Sequence, residues 1–263
     1  MGLSESFHFS GGWLYHARSL RFRERLWTPF RKSLSDRLLS WRERTGGDAR
    51  PLLLIGPSGF HCLPERLVGA GTRLHVSEPD PIARWILKRR LKRSPLFLTD
   101  DLLQPLDIQS FKKKLMVLDG SERVAIVFCN LLGQTALSFQ ETETRKKQWQ
   151  NFAPALLKAL EERGSPVFSF HDRLSFESSF RHAPELDAQS WVRQWPSSPS
   201  DDVLLEAVRV EVLPRLLPKT GVTTVKTVVH ATSDLTKGRS TETHTWWLTP
   251  KRLHVIEFVE TNT

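Results

Sequence analysis

Two cysteines, Cys62 and Cys129, are all that the 263 residues contain. That count excludes a disulfide framework and a cysteine-built zinc site. Each lies inside an apolar segment, where a free cysteine reads as a small buried hydrophobe, and a reducing, cytoplasmic compartment is expected. Long hydrophobic runs are missing too. Stretches such as Leu52 to Ile55 and Val124 to Cys129 stop far short of the roughly 20 apolar residues a membrane-spanning helix needs. The opening residues, Met1 to Phe7, show no basic segment followed by an apolar core, so a secretory leader is not expected. Gly2 with Ser6 does fit the loose myristoylation pattern. No GxSxG nucleophile elbow occurs, and the turn Gly56-Pro57-Ser58-Gly59-Phe60 carries no lysine. Serine-hydrolase and P-loop chemistries are disfavoured accordingly.

What is present is a globular composition, 39% hydrophobic and 25% charged, which excludes disorder throughout. Lys and Arg outnumber Asp and Glu by 38 to 29, a formal charge of +9, so a polyanionic partner is plausible. The excess is uneven. Residues 1 to 50 hold ten basic and five acidic side chains, and the segment from Arg84 to Arg93 holds six basic ones (Arg84, Lys88, Arg89, Arg90, Lys92 and Arg93) and no acid. RNA or another polyanion can be met there; solvated faces of two helices give the same pattern. Aromatic residues among the basic ones, Trp13, Phe22, Trp27, Phe30, Trp41 and Trp85, suit stacking on bases, while Trp27, Phe30 and Leu34 also fit one buried helical stripe.

Residues 16 to 44 read as one or two amphipathic helices broken near Pro29 and ended by Thr45-Gly46-Gly47-Asp48. This gives a basic helical extension over 1–50 before a second region over 51–263. From Pro51 short apolar runs alternate with helical stretches. Strands are expected at Leu52 to Ile55, Leu74 to Ser77, Leu96 to Thr99, Val124 to Cys129 and Pro166 to Phe170, with helices over 62–69, 80–92 and 144–163. That alternation predicts an α/β, Rossmann-like, mostly parallel sheet with helices on both faces. After a Trp/Pro/Ser stretch (Trp191 to Asp202) and a helical pattern to about Leu213, strand character resumes at Val222 to His230. It returns at His244 to Leu248 and Leu253 to Val259, a return pair that is antiparallel by its short connection.

In such a sheet ligands gather at the carboxyl ends of the strands, where strand order reverses. The first strand runs into Gly56-Pro57-Ser58-Gly59, where glycines let the backbone approach a ligand and a following helix would offer free N–H groups. Glu78, 22 residues after Gly56, ends the second strand and puts a carboxylate where a ribose diol can be held. Asp100 and Asp101 follow the third strand, either to accept from an adenine amine or to cap the next helical turn. The fifth strand ends Ser169-Phe170-His171-Asp172-Arg173, which makes His171 a candidate general base at the sheet edge, or a satisfied structural histidine. His230, His244 and His254 fall on C-terminal strands without cysteine partners, a poor metal set. The Trp246-Trp247 pair either packs under the hairpin or walls an acceptor pocket.

This order of residues resembles the class I S-adenosylmethionine-dependent methyltransferases, over about Leu52 to Phe170, with the C-terminal hairpin fitting that family's sixth and seventh strands. The resemblance implies S-adenosylmethionine as cofactor. Ile55-Gly56-Pro57-Ser58-Gly59 would be the glycine-rich first motif, Glu78 the ribose acid, Asp100 or Asp101 the adenine-side acid, and Phe128-Cys129-Asn130-Leu131-Leu132 the fourth-strand motif. Gly56, Ser58 and Gly59 would line the methionine portion and Asn130 would face the methyl group. The chain departs from the family's fuller GxGxG run, Pro57 removes a donor, and Asn130 is followed by Leu131-Leu132-Gly133-Gln134 rather than Pro-Pro-aromatic. NAD enzymes share the glycine-and-acid logic, but the terminal hairpin counts against them. The expectation is a methyltransferase whose acceptor is RNA first, a small molecule or protein next. The alternative is a non-catalytic Rossmann-like module that binds nucleic acid or a partner protein.

Overall fold

The computed structural model describes residues 12–91, 94–98, 102–103, 106–119, 123–133, 135, 143–178, 191–217 and 224–261. Two helices lead, α1 (Gly12–Phe22) and α2 (Thr28–Arg44). Their break is set by Pro29, which stands in the first turn of α2, where its missing N–H costs nothing.

Five strands then pair in parallel: β1 (Leu52–Ile55), β2 (Leu74–Ser77), β3 (Leu96–Phe97), β4 (Ala125–Cys129) and β5 (Val167–Glu177). The C-terminal hairpin, β8 (Thr241–Thr249) and β9 (Arg252–Thr261), joins with β9 antiparallel to β5. Two short strands complete the sheet, β6 (Val192–Trp195) on β8 and β7 (Lys226–Val229) on β5. The order is β3-β2-β1-β4-β5-β9-β8-β6, with β7 beside the second half of β5. This is the mixed, mostly parallel Rossmann-like arrangement with a reversed last hairpin that the methyltransferase resemblance implied.

The remaining helices are α3 (Pro81–Leu91), α4 (Ile108–Met116), α5 (Glu143–Glu162), α6 (Asp201–Glu211), α7 (Leu213–Leu216) and α8 (Ser233–Thr236). Alternate residues of β1 and β4 enter separate cores. Leu52, Leu54, Ala125 and Val127 pack with α2, while Leu53, Ile55, Ile126 and Phe128 pack with α4 and α5. Continuous apolar runs result because both faces are covered.

The helix expected over 62–69 is absent. Only a 3-10 turn, Glu65–Leu67, interrupts the β1–β2 connection, because Pro64 and Gly69 leave too few residues for a stable helix. α2 takes its place: Phe30, Leu34, Leu38 and Trp41 lie on one face, at most 1% exposed, each contributing roughly 1.5–3 kcal/mol of burial. The N-terminal segment is thus packed into the same hydrophobic core as the sheet. α4 is marked by its N-cap Asp107 and by Ile108, Phe111 and Leu115 at helical spacing, whereas the four-residue β6 has no clear local signal and β5 runs well past Phe170. No helix among the described residues is long and apolar enough to cross a membrane.

Candidate active site

β1 lies between β2 and β4, so strand order reverses there and the carboxyl ends of these strands form the edge where a ligand would bind. At the end of β1, Gly56 adopts φ +67°, and Ser58 (φ +51°) and Phe60 (φ +58°) follow in the same left-handed region. Asn130, at the end of β4, has φ +54°, and Ala231, after β7, has φ +52°. These four are the described non-glycine residues with positive φ. All lie in connections leaving this edge or tied to the extended end of β5. Such backbone costs about 1–3 kcal/mol per residue and persists where surrounding contacts over-determine it, commonly at functional sites.

For Ser58 the tie is Glu78, whose Oε2 accepts from the Ser58 N–H at 2.7 Å while Oε1 accepts from the Asp80 N–H at 3.0 Å. Glu78 is 6% exposed. Burial raises its pKa, opposed by those two N–H bonds. The carboxylate has about four lone-pair sites, so capacity remains for the two hydroxyls of a ribose diol. On that donor set the acid side fits the adenosine part of S-adenosylmethionine. The glycines serve the chain's own packing. A β-carbon on Gly56 would meet Leu131 Cβ at 2.9 Å, and one on Gly59 would meet His61 Nε2 at 2.4 Å. The helix N-terminus expected beyond this turn does not exist, since no helix follows it. Asp100 and Asp101 lie outside the described residues.

α1 closes over the turn. His16 Nδ1 and His61 Nε2 are 2.8 Å apart, His16 Nε2 lies 3.3 Å from Asp80 Oδ2, and Tyr15 Oη is 3.7 Å from Cys62 Sγ. Burial first, then Arg90, His16, Arg23 and Arg31, lowers the His61 pKa to about 3, so its imidazole is neutral. Burial likewise pushes the Cys62 thiol up to about 11 and Cys129 well above its ordinary value; both are free.

His171 is not at the sheet edge. β5 continues to Glu177 because β7 and β9 pair with its second half, leaving His171 fully buried inside the strand. Its Nδ1 lies 3.0 Å from Ser169 Oγ, and its Nε2 lies 3.3 Å from Glu257 Oε2. Glu257 also accepts from Arg173 at 2.7 Å and from Thr236 Oγ1 at 2.7 Å. Burial would raise the Glu257 pKa, but Arg173 and His171 hold it below the usual carboxylate range.

Asp172, as buried as His171, is the residue of β5 whose side chain meets the end of β4. The β5–β9 register slips between Asp172 and Leu174, leaving Arg173 as the extra residue of a bulge, a device that re-aims side chains. Asp172 Oδ2 accepts from Asn130 Nδ2 at 3.1 Å, and Asn130 Oδ1 accepts from the Asp172 N–H at 2.9 Å. Asp172 Oδ1 lies 2.7 Å from His254 Nδ1. Burial would raise the Asp172 pKa, yet His254, His230 and Asn130 hold it at about 2. His230 bridges Gly133 O (3.4 Å) and Ser175 Oγ (3.2 Å), and burial lowers its pKa. His244, towards the start of β8, pairs with Glu242 at 2.5 Å and stacks on Phe258. The Asn130–Asp172–His254 chain joins residues far apart in sequence, and no local motif announces it.

Of the basic α3 residues, Arg84 donates to Glu78 O and to Leu98 O, and Arg90 donates to Phe60 O at 3.1 Å. These two brace the loops of the site. Lys88 and Arg89 are exposed, with the Arg89 guanidinium 4.0 Å above the exposed Trp85 ring. Lys92 and Arg93 lie outside the described residues.

No family model matches this chain, nor does any curated protein. Among solved structures, the N-terminal domain of EvdMO1 with SAH bound shares 11% identity over 86% of this chain and 80% of that one, at a TM-score of 0.36. The glycopeptide N-methyltransferase MtfA complexed with S-adenosyl-L-methionine shares 12% over 84% and 86%, at 0.31, and its sinefungin complex 11% over 85% of each, at 0.32. At those scores the functional reading stands on the chain's own topology and site. The strand order and the Glu78 contact define a Rossmann-like α/β protein with a reversed C-terminal hairpin and an acid-bearing strand edge at its switch point.

Proposed function

We propose that this protein binds S-adenosylmethionine between the Gly56 turn and Glu78 and transfers its methyl group. The observation that carries the reading is the bond from the Ser58 N–H to Glu78 Oε2. It locks the acid after β2 to the glycine turn after β1 at the point where strand order reverses, in a sheet closed by a reversed hairpin. The cofactor supplies a methyl group already activated on a sulfonium. The chain has to hold the diol, which falls to Glu78, and to align an acceptor beside Asn130; little acid–base machinery is required. RNA is our first choice of acceptor, on the exposed Lys88 and Arg89.

Calorimetric titration with S-adenosylmethionine and, separately, NAD tests this, on the parent and on Glu78→Ala and Glu78→Gln. Saturable binding of the first alone, lost in Glu78→Ala, is expected. A parent that binds neither sinks the proposal.

A second reading rests on the filled glycine positions, where Leu131 and His61 occupy the space a ligand would approach. Under it the chain is a non-catalytic module that engages nucleic acid through α3, and the same titration would show no cofactor binding while nucleic-acid binding persists.

A further inference from the structure

β8 runs parallel to β1–β5 and β9 runs against them, so the end of β8 and the start of β9 lie at the same edge as Gly56, Glu78 and Asn130. Trp246 and His254 face each other there as a cross-strand pair, rings 5.8 Å apart. Both are buried, and neither Trp246 Nε1 nor His254 Nε2 has a hydrogen-bond partner among the described residues. Asp172 occupies the opposite nitrogen of His254 at 2.7 Å. A carboxylate on Nδ1 fixes the tautomer with the proton there and leaves the lone pair on Nε2. The reciprocal bonds between Asn130 and Asp172 hold that carboxylate in place. As a purely structural pair this is a poor solution: an ionised acid is taken out of water beside two buried nitrogens that gain no bond in return.

We infer that His254 is the general base of this site, taking the proton from a hydroxyl or amine methyl acceptor that the Trp246 N–H anchors. The inference rests on the methyl-transfer reading above. In the step, the acceptor's oxygen or nitrogen pair forms the bond to the methyl carbon and the carbon–sulfur bond breaks. Its electron pair stays on sulfur, and the acceptor's proton passes to His254 Nε2. The resulting imidazolium faces the Asp172 carboxylate; Asp172 and Asn130 are positioning residues. Trp27 packs on Trp246 at 5.2 Å and Tyr15 on Trp27 at 5.6 Å, so the α1–α2 corner covers this pair. Leu131, next to Asn130, fills the space beside Gly56 and so joins the base to the cofactor turn.

The test uses the full chain with 15N-labelled histidine. The titratable groups around His254 are Asp172 from β5, His230 from the segment after β7, and Tyr15 of α1 acting through Asp172. Long-range proton–nitrogen correlation, assigned with His254→Asn, should show His254 protonated at Nδ1 and bare at Nε2 at neutral pH, with that preference lost in Asp172→Asn. Diethylpyrocarbonate, an electrophile that acylates bare imidazole nitrogens, should label His254 ahead of His171. An Nε2-protonated or permanently charged His254, or one as inert as His171, overturns the inference. Calorimetry with S-adenosylmethionine on His254→Asn should give unchanged affinity. Failure of the parent to bind it would overturn the methyl-transfer reading while leaving the imidazole measurements to be judged separately.

Discussion

Gly133 rests directly on the backbone of Asp172: a β-carbon at Gly133 would lie 2.9 Å from both the Asp172 carbonyl oxygen and its Cβ, and 3.0 Å from its nitrogen. The short turn after Asn130 can therefore approach β5 closely enough for Asn130 and Asp172 to bond reciprocally. Backbone atoms cannot step aside as a side-chain tip can. Gly133→Ala should cost roughly 1–3 kcal/mol by overpacking, read as a lower urea midpoint at unchanged slope, and should shift the His254 ring signals.

Acid should weaken the fold in two stages. His61 is held at about 3 against an ordinary 6.5. As pH falls below 6.5 the unfolded chain therefore takes a proton that the fold refuses, and stability is lost down towards pH 3. His75 and His230, lowered chiefly by burial, add to this upper limb. Asp172 is held at about 2 against 3.8. Its contribution is present above pH 3.8 and disappears as pH falls through 2. Denaturant titrations across pH should show His61→Gln flattening the upper limb and Asp172→Asn the lower; an unchanged acid profile in both contradicts the assignment.

α2 is a core element on packing grounds. Leu34→Ala should cost about 2–5 kcal/mol and Trp41→Ala about 3–5 kcal/mol, and deletion of residues 1–50 should leave a chain with no cooperative unfolding transition. A cooperative transition of near-parent midpoint in the deletion would show that the sheet holds its own face without α2.

Binding to single-stranded RNA should respond to the two exposed basic residues of α3 and not to a change of fold. Lys88→Glu with Arg89→Glu should weaken binding and reduce the salt slope by roughly 0.7 for each phosphate the protein no longer neutralises. Arg84 and Arg90 are unsuitable for this purpose because they brace Glu78 and Phe60. An unchanged slope would return this helix to a solvated face.

The local rhythm of the sequence determined much of the sheet. β1 and β2 match their expected bounds and β4 differs by one residue at its start, because a strand covered on both faces must be apolar without interruption. The places of Gly56, Glu78 and Asn130 just past the ends of β1, β2 and β4 were legible for the same reason: each sits where an apolar run stops, and the physics of strand ends is local. The extent of β5 was not legible, since it is set by β7 and β9 pairing with it from at least 49 residues away. That pairing places both His171 and Asp172 in the interior of the sheet. Tertiary structure also decided that α2 rather than a helix after the glycine turn covers β1, and that Asp172 meets both Asn130 and His254. Hydrogen bonds across 42 and 82 residues depend on strand register and a single bulge, neither of which leaves a periodic trace in the chain.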